Sequence, residues 1–592
     1  MAITAPDAFA SETGAKGTFR ISRSGSTAAN LTVWVAVSGT ATRNDDYTIS
    51  GGSPTLSGLV AVIPAGASFL DLTVHPKADT LSDGPETVVL TLAKRASYNL
   101  AARTSATVTI AEAPTLNKPN VVVIMTDDMT AADIQVMPET LRLLGERGVT
   151  FTNSFTDFSL CCTSRATFLT GQAAHNHGIL GNHPSAGGGY ELFKPTENNT
   201  LPVWLRNGGY RTFAYTKYMN GYGGWTQSAP LADRQHVPPG WDVWFGRVDY
   251  HAYRFYDYDL NQNGALVHRG CNTIDYDTDL AATKAVGFIA NNQTVPKPLF
   301  MWIAPLAPHN TFSGRCDREV FRGPMPADRH LHKLDSHVVQ QAPSTNEFDV
   351  SDKPSFIAAL PLLTFKQRTE LVQQIRRRRE SLLAVDELVK KVVMTLQSTG
   401  RLQNTLIIFT SDNGYLMGEH RIENQKVYPY EESIRVPLVI SGPGIPWGEA
   451  RSQLVSNIDL AATILDFAGF PVTIPNVPPT TPGRVQDGRS LKPLMENAGT
   501  PWRTALLIQG SVYATNPFIR FQGVRTESAK YIEYNNTIGE SELYDLTTDP
   551  RELENKAAMP GSPPALKSEL ELVLENMLST LRTCAGSTCW VD

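Results

Sequence analysis

Two short acidic clusters and one cysteine-bearing stretch carry the residue types from which a reaction centre can be built. Thr126-Asp127-Asp128 and Ser411-Asp412-Asn413-Gly414 each follow an apolar run, Val121 to Met125 in the first case and Thr405 to Thr410 in the second. Carboxylates packed closely repel and raise one another's pKa, so a hard divalent cation with oxygen ligands is their natural partner. Taken singly, Asp127 also reads as a helix cap and Asp412-Asn413-Gly414 as a plain turn. It is the recurrence at matching positions that points to metal. Between the clusters runs Ser159-Leu160-Cys161-Cys162-Thr163-Ser164-Arg165-Ala166-Thr167-Phe168-Leu169-Thr170-Gly171. Ser164 to Leu169 reads as the first turns of a helix, which sets a cysteine against helix N–H groups and Arg165, surroundings that favour an anion.

An apolar run without alternation is how a strand buried on both faces of a parallel sheet reads. Helical segments lie between such runs, the clearest at Ser381 to Met394, where Leu382, Val385, Leu388, Val389 and Val392 share one face. This alternation predicts an α/β domain, a doubly wound and mostly parallel sheet with its site at the carboxyl ends of the strands. Arg376 to Arg379 stand at the start of that helix and read as a solvated face. Residues 16–110 read differently. Short alternating segments at Thr18–Ile21, Leu31–Val37, Phe69–Val74, Thr87–Leu92 and Ala106–Ile110, with Gly/Ser/Asp turns between, predict a β-sandwich. The composition changes at Glu112-Ala113-Pro114-Thr115. The predicted organisation is a sandwich over 1–113, a catalytic domain over 114–500 and a small α+β subdomain over 501–592.

The 592 residues carry a net charge of −6, which offers no basic footprint for nucleic acid. No stretch approaches the ~18 apolar residues of a spanning helix, and the first twenty residues show neither the basic start nor the apolar core of a signal peptide. Six cysteines are too few for a disulfide framework. Cys584 with Cys589, and Cys271 with Cys316, are pairings that spacing leaves open. Cys161 and Cys162 are neighbours, which rarely bridge each other.

The motifs in order resemble the type I, formylglycine-dependent sulfatases of the alkaline phosphatase superfamily, over residues 119–556. Leu160-Cys161 with Ser164-Arg165 and Thr170-Gly171 matches the signature, with Thr163 standing where the family usually has Pro or Ala. Lys217-Tyr218-Met219-Asn220 and His236-Val237-Pro238-Pro239-Gly240-Trp241 resemble the glucosamine-6-sulfatase subgroup. Pro308-His309, the segment from Lys426 through Tyr430 to Pro437, and Tyr544-Asp545-Leu546 with Asp549-Pro550 and Asn555 match later family stretches. At the other end, Asp46 to Ser50, Ile63 to Gly66 and Asp79 through Asp83 to Glu86-Thr87 resemble a Calx-β domain. Some such domains bind calcium, so Asp79, Asp83 and Glu86 are candidate ligands, although solvated turn acids are the commoner case.

The resemblance implies that Cys161 is converted to formylglycine by a formylglycine-generating enzyme, and that Arg165, Lys217 and Lys426 flank the sulfate. His309 becomes the acid for the leaving oxygen. The metal set becomes Asp127, Asp128, Cys161, Asp412 and Asn413. Ca²⁺ is the expected ion because the two acidic clusters offer only oxygen, with Mg²⁺ or Mn²⁺ as alternatives. The implied substrate is a sulfated carbohydrate of the glucosamine 6-sulfate type, or an aryl sulfate, with Tyr218 or Trp241 offering a face to the pyranose ring. The implied location is secreted or periplasmic, with the export signal removed. Phosphodiesterase or phosphonate monoester hydrolase activity, known on the same fold, is the alternative. A dead enzyme with an adhesive sandwich would need a lost ligand or nucleophile, and none is missing.

Overall fold

A computed structural model describes all residues except 13–14, 56–57, 78–85, 112–117, 312–315, 317–322, 471–484, 513–518 and 592. The chain divides into two compact units, Met1–Asn117 with Gly442–Trp447, and Lys118–Ser441 with Gly448–Asp592.

In the first unit a four-stranded and a six-stranded sheet share one core. Alternation along Gly17–Ser22 sends Phe19 and Ile21 inward, and the same period along Glu86–Leu92 buries Val88 and Leu90. Asp79 and Asp83 lie outside the described residues. Glu86 is the first residue of its strand and pairs with Ile110.

The second unit is organised by a ten-stranded sheet whose middle five strands are parallel. In order across the sheet these are Val243–Arg247, Arg211–Thr216, Leu299–Ala304, Asn120–Thr126 and Thr405–Ser411. Both non-alternating apolar runs are buried at every position, as parallel strands covered on two faces require. Val122 and Ile124 pack with Leu382, Val385, Leu388, Val389 and Val392, the apolar stripe of the helix Phe365–Ser398. Trp302, from the neighbouring strand, meets Phe168 of the helix Cys161–Thr170 with ring centroids 5.5 Å apart.

The Phe365–Ser398 helix corrects the reading of the arginine run. It begins at Phe365, eleven residues before Arg376, with a Thr364/Gln367 capping box. Arg376 to Arg379 therefore sit inside it, and Arg377 and Arg378 are buried rather than solvated.

The antiparallel sheet Ala505–Val512, Ile519–Thr526, Ala529–Asn535 and Ser541–Asp545, with the helix Glu569–Leu581 against it, forms the α+β end of the chain. Disulfides join Cys271 to Cys316 and Cys584 to Cys589, whereas Cys161 and Cys162 are free.

Candidate active site

Four neighbouring parallel strands deliver side chains to one place. Thr126 and Ser411 are register partners, so Asp127-Asp128 and Asp412-Asn413 leave the sheet side by side, and the Asp412 N–H donates to the Thr126 carbonyl at 3.1 Å. Lys217 follows the strand ending at Thr216, and His309 lies five residues beyond the one ending at Ala304. The helix Cys161–Thr170 completes the group and places Cys161 on its first turn, three residues earlier than the predicted start. Gly171 ends that helix at φ +66°, where a Cβ would collide with Gln486.

Cys161 is fully buried. Lys426 Nζ lies 2.7 Å and Lys217 Nζ 3.4 Å from its Sγ, and Asp127 Oδ1 lies 3.5 Å away. Burial and the Asp127 charge push the thiol up to about 12, so it is held neutral and is a poor nucleophile as it stands. Lys217 donates to Asp127 Oδ2 at 2.6 Å, and Lys426 pairs with Asp128 Oδ1. Arg165 donates to Asp412 Oδ2 at 2.9 Å, to Asp127 Oδ2 at 3.3 Å and to the Lys217 carbonyl. Burial pushes the Asp127 carboxyl up, but Lys217, Arg165 and Lys426 outweigh it and hold the group well below the usual range. Asp412 goes the other way. Burial and the adjacent Asp127 charge carry it up to about 6 despite Arg165.

A cation fits these residues. Asp128 Oδ2 and Asn413 Oδ1 are buried oxygens with no hydrogen-bond partner among the described residues, an arrangement that costs about 1–3 kcal/mol each if nothing binds there. The Asn413 amide is oriented by its own NH₂ group, which donates to Asp128 Oδ1 at 2.6 Å and to the Gly414 carbonyl at 2.8 Å, leaving Oδ1 free as a ligand. One ligand atom each from Asp127, Asp128, Cys161 and His309 lies within 4.8 Å of all the others. Asp412 stands outside that tight group. Its Oδ1 accepts the N–H groups of Asp128 and Asn413 at 3.1 and 2.8 Å, and its Oδ2 accepts from Arg165. His309 donates its Nδ1–H to the Asn310 carbonyl at 2.7 Å, which turns Nε2 toward Asp128 Oδ2, 3.5 Å away. Burial lowers the ring to about 4 and keeps it neutral.

Several neighbours were missed. Arg378 donates to the backbone carbonyls of Asp128 and Pro308, and its guanidinium lies 4.7 Å from the Tyr415 ring centre. The signal existed, since Leu382 and Val385 continue back by one helical turn onto position 378. Tyr253 presents its ring to Lys217 Nζ at 4.6 Å and to the His309 ring at 4.8 Å. No sequence pattern marks it.

Two aromatic expectations fail. Trp241 is 6% and Tyr218 3% exposed. Trp241 stacks on Phe300 and Trp302, and Tyr218 meets Trp244 and Tyr222 edge-on, so neither shows a face to a ligand.

Buried carboxylates, lysines and a neutral cysteine at the carboxyl ends of a parallel sheet form a pocket suited to a divalent cation and an anionic ligand. Comparison with known proteins makes this particular. Residues 119–470 match the Sulfatase family, and residues 418–579 match the family described as N-sulphoglucosamine sulphohydrolase, C-terminal. Human N-acetylglucosamine-6-sulfatase is 32% identical over 516 residues, which covers 80% of this chain and 86% of the relative. An arylsulfatase of Volvox carteri is 32% identical over 519 residues, with 80% and 76% covered. A solved structure described as a complex with its substrate D-glucosamine-2-N,6-O-disulfate aligns with TM-score 0.62 at 27% identity, over 79% of this chain and 98% of that one. A phosphonate monoester hydrolase from Silicibacter pomeroyi, at TM-score 0.55 and 18% identity over 79% and 96%, shares the fold. The chain belongs to the sulfatase family and is a sulfuric ester hydrolase.

Proposed function

We propose that this sulfatase removes the 6-sulfate of a glucosamine unit, or of a closely related sulfated sugar, with Cys161 matured to formylglycine and Ca²⁺ as the resident ion. The observation that carries the reading is the convergence of Lys217 and Lys426 on Cys161 Sγ beside two buried carboxylates. The sulfur occupies the place that the oxygens of a hydrated aldehyde take in the mature enzyme. Such oxygens would supply the nucleophile and the hydroxyl whose deprotonation releases sulfate, and a cation held by Asp127, Asp128 and Asn413 would polarise the ester.

The chain's own residues account for the rest. Three carboxylates, Asp127, Asp128 and Asp412, are matched by Lys217, Lys426 and Arg165, so a bound divalent cation leaves the pocket positive and suited to a sulfate monoanion. The ammonium groups of Lys217 and Lys426 reach the position where charge develops on the sulfuryl oxygens, and they are already paired and buried, so little reorganisation is needed. Asp412 holds Arg165 and the Asp128 backbone in place. His309 is the acid for the departing sugar oxygen through Nε2. Its Nδ1–H is held by the Asn310 carbonyl, so Nε2 is the atom that would pass the proton to the leaving oxygen. Metal ligation is assigned to Asp127, Asp128, residue 161, Asp412 and Asn413.

Glucosamine as the sugar is supported by the human relative and by the Lys217-Tyr218-Met219-Asn220 stretch. Export is supported by the two disulfides, which persist in oxidising compartments. Among the described residues no helix is long and apolar enough to cross a membrane. Residues 1–113 are assigned to a Calx-β-like appendage, 114–500 to the catalytic domain and 501–592 to the C-terminal subdomain. The deciding experiment compares kcat/KM for glucosamine 6-sulfate, a galactose sulfate, an aryl sulfate and the phosphonate and phosphodiester analogues. The expected order has glucosamine 6-sulfate first. Exclusive turnover of the aryl or phosphorus esters would refute the substrate assignment.

A further inference from the structure

A cavity of about 480 Å³ opens between the segment leading to Cys161 and the C-terminal sheet, a size that ordinary small-ligand sites have. Phe158 and Leu180 form one wall. The other is polar, on a sheet face whose neighbouring row under the last helix is apolar. Leu507, Val524 and Tyr531 lie under the helix Glu569–Leu581 and pack against it. Two residues along each strand, on the same face, come Gln509, Gln522 and Glu533, which are register partners of one another. The switch from apolar to polar falls at the end of the helix, where Arg582 donates to Glu533 Oε2 at 2.8 Å. Burial of apolar surface explains the first trio, and it does not explain the second.

Three buried polar atoms around this cavity have no hydrogen-bond partner among the described residues: Gln509 Nε2, Arg582 Nε and His175 Nδ1. They come from three separate segments, and Gln509 is only 4% exposed. His175 donates Nε2–H to the Cys584 carbonyl at 2.9 Å, within the turn that the Cys584–Cys589 disulfide closes. In the neutral ring Nδ1 is therefore an acceptor. The cavity thus offers unpaired donors from Gln509 and Arg582, an unpaired acceptor from His175, a second cation in the exposed Arg520, and the Phe158 ring.

We propose that this cavity is a second recognition site, distinct from the catalytic centre, for a sugar unit that carries an anionic group. Hydroxyls give to His175 Nδ1 and receive from Gln509 Nε2, Arg520 and Arg582 face the anion, and Phe158 lies against the ring carbons. A sulfated oligosaccharide would then be held at a unit other than the one being cleaved. The choice of ligand rests on the sugar-sulfate reading above, whereas the presence of a site rests on the cavity alone.

The test is titration calorimetry with the full chain carrying Cys161→Ala, which stops turnover, using a sulfated glucosamine-containing tetrasaccharide and its desulfated counterpart. Arg520→Glu, at an exposed position, is expected to weaken tetrasaccharide binding at least about tenfold, and Gln509→Leu to weaken it comparably. Melting curves check that each variant is folded, and Arg520→Glu stands alone if Gln509→Leu is not. Unchanged affinity in Arg520→Glu, or equal affinity for the sulfated and desulfated sugars, overturns the proposal. Failure of the catalytic reading shows separately, as no turnover of glucosamine 6-sulfate by the chain with Cys161 intact.

Discussion

Replacing Arg378 by Met tests whether a residue that never touches substrate fixes the catalytic carboxylate. Asp128 adopts a left-handed backbone, φ +69°, which costs a non-glycine residue about 1 kcal/mol. Four ties hold it there. Its N–H donates to Asp412 Oδ1, its side chain accepts from Asn413 and Lys426, and its carbonyl accepts from Arg378. Methionine fills much of the arginine's volume but removes the donors to two buried carbonyls, those of Asp128 and Pro308. At about 1–3 kcal/mol for each unsatisfied group, the fold loses about 2–6 kcal/mol. A shift of ~1 Å in Asp128 or His309 then costs on the order of 10²-fold in turnover. Urea titration gives the first quantity and kcat on an aryl sulfate the second. Arg376→Ala is the comparison, because that side chain is only half-buried and bonds the His337 carbonyl at 3.0 Å. It is expected to change stability by less than about 1 kcal/mol and to leave kcat alone. If Arg378→Met keeps wild-type turnover and loses less than about 1 kcal/mol, the clamp argument is wrong.

Intact-mass analysis should find the formylglycine at Cys161 and not Cys162. Cys161→Ala should abolish turnover and Cys162→Ala should keep much of it, and full activity in Cys161→Ala would end the assignment. Chelation should inactivate the enzyme and Ca²⁺ restore it, with metal–oxygen distances near ~2.4 Å in a crystal; a strict octahedron near ~2.1 Å would identify Mg²⁺ instead. His420 is buried with Nδ1 2.6 Å from Glu347 Oε2, and burial with the nearby Lys353 charge lowers it to about 3. The unfolded ring titrates near ~6.5, so the unfolded chain binds the extra proton first and stability should fall as pH drops from ~6.5 toward ~3. His420→Gln should flatten that acid limb in melting curves, and an unchanged slope would refute the assignment.

The sequence revealed what depends on local pattern. Runs such as Val121 to Met125 announce buried parallel strands, and the acidic pairs at their ends need no tertiary knowledge once both strands are known to be neighbours. It did not reveal what depends on one element reaching across to another. Arg378 looked like one member of a charged run because four arginines in a row have no period, although helical geometry turns only some of them inward. Tyr253 enters from a short turn far along the chain and is recognisable only when Lys217 and His309 are seen on either side of its ring. The polar patch at Gln509, Gln522 and Glu533 is equally silent, because its meaning lies in the register of three strands.

Trp241 and Tyr218 show the opposite error, in which a recognisable stretch was given a function that its burial denies. Tyr218 follows Lys217 and Trp241 belongs to a stretch resembling the same subgroup, which invites a stacking role. Yet the rings around them, Phe300, Trp302, Trp244 and Tyr222, form a packed layer against the sheet, and a ring at 6% exposure has no free face. Trp241→Phe should therefore act through packing. Loss of one ring's volume from this layer is expected to cost about 1–3 kcal/mol in denaturant titration. The ratio of kcat/KM for glucosamine 6-sulfate to that for an aryl sulfate should stay within about twofold, because both substrates meet the same unshifted lysines. A fall in that ratio of tenfold or more, with stability unchanged, would mean that Trp241 swings out to meet the sugar and that the packed layer opens during catalysis.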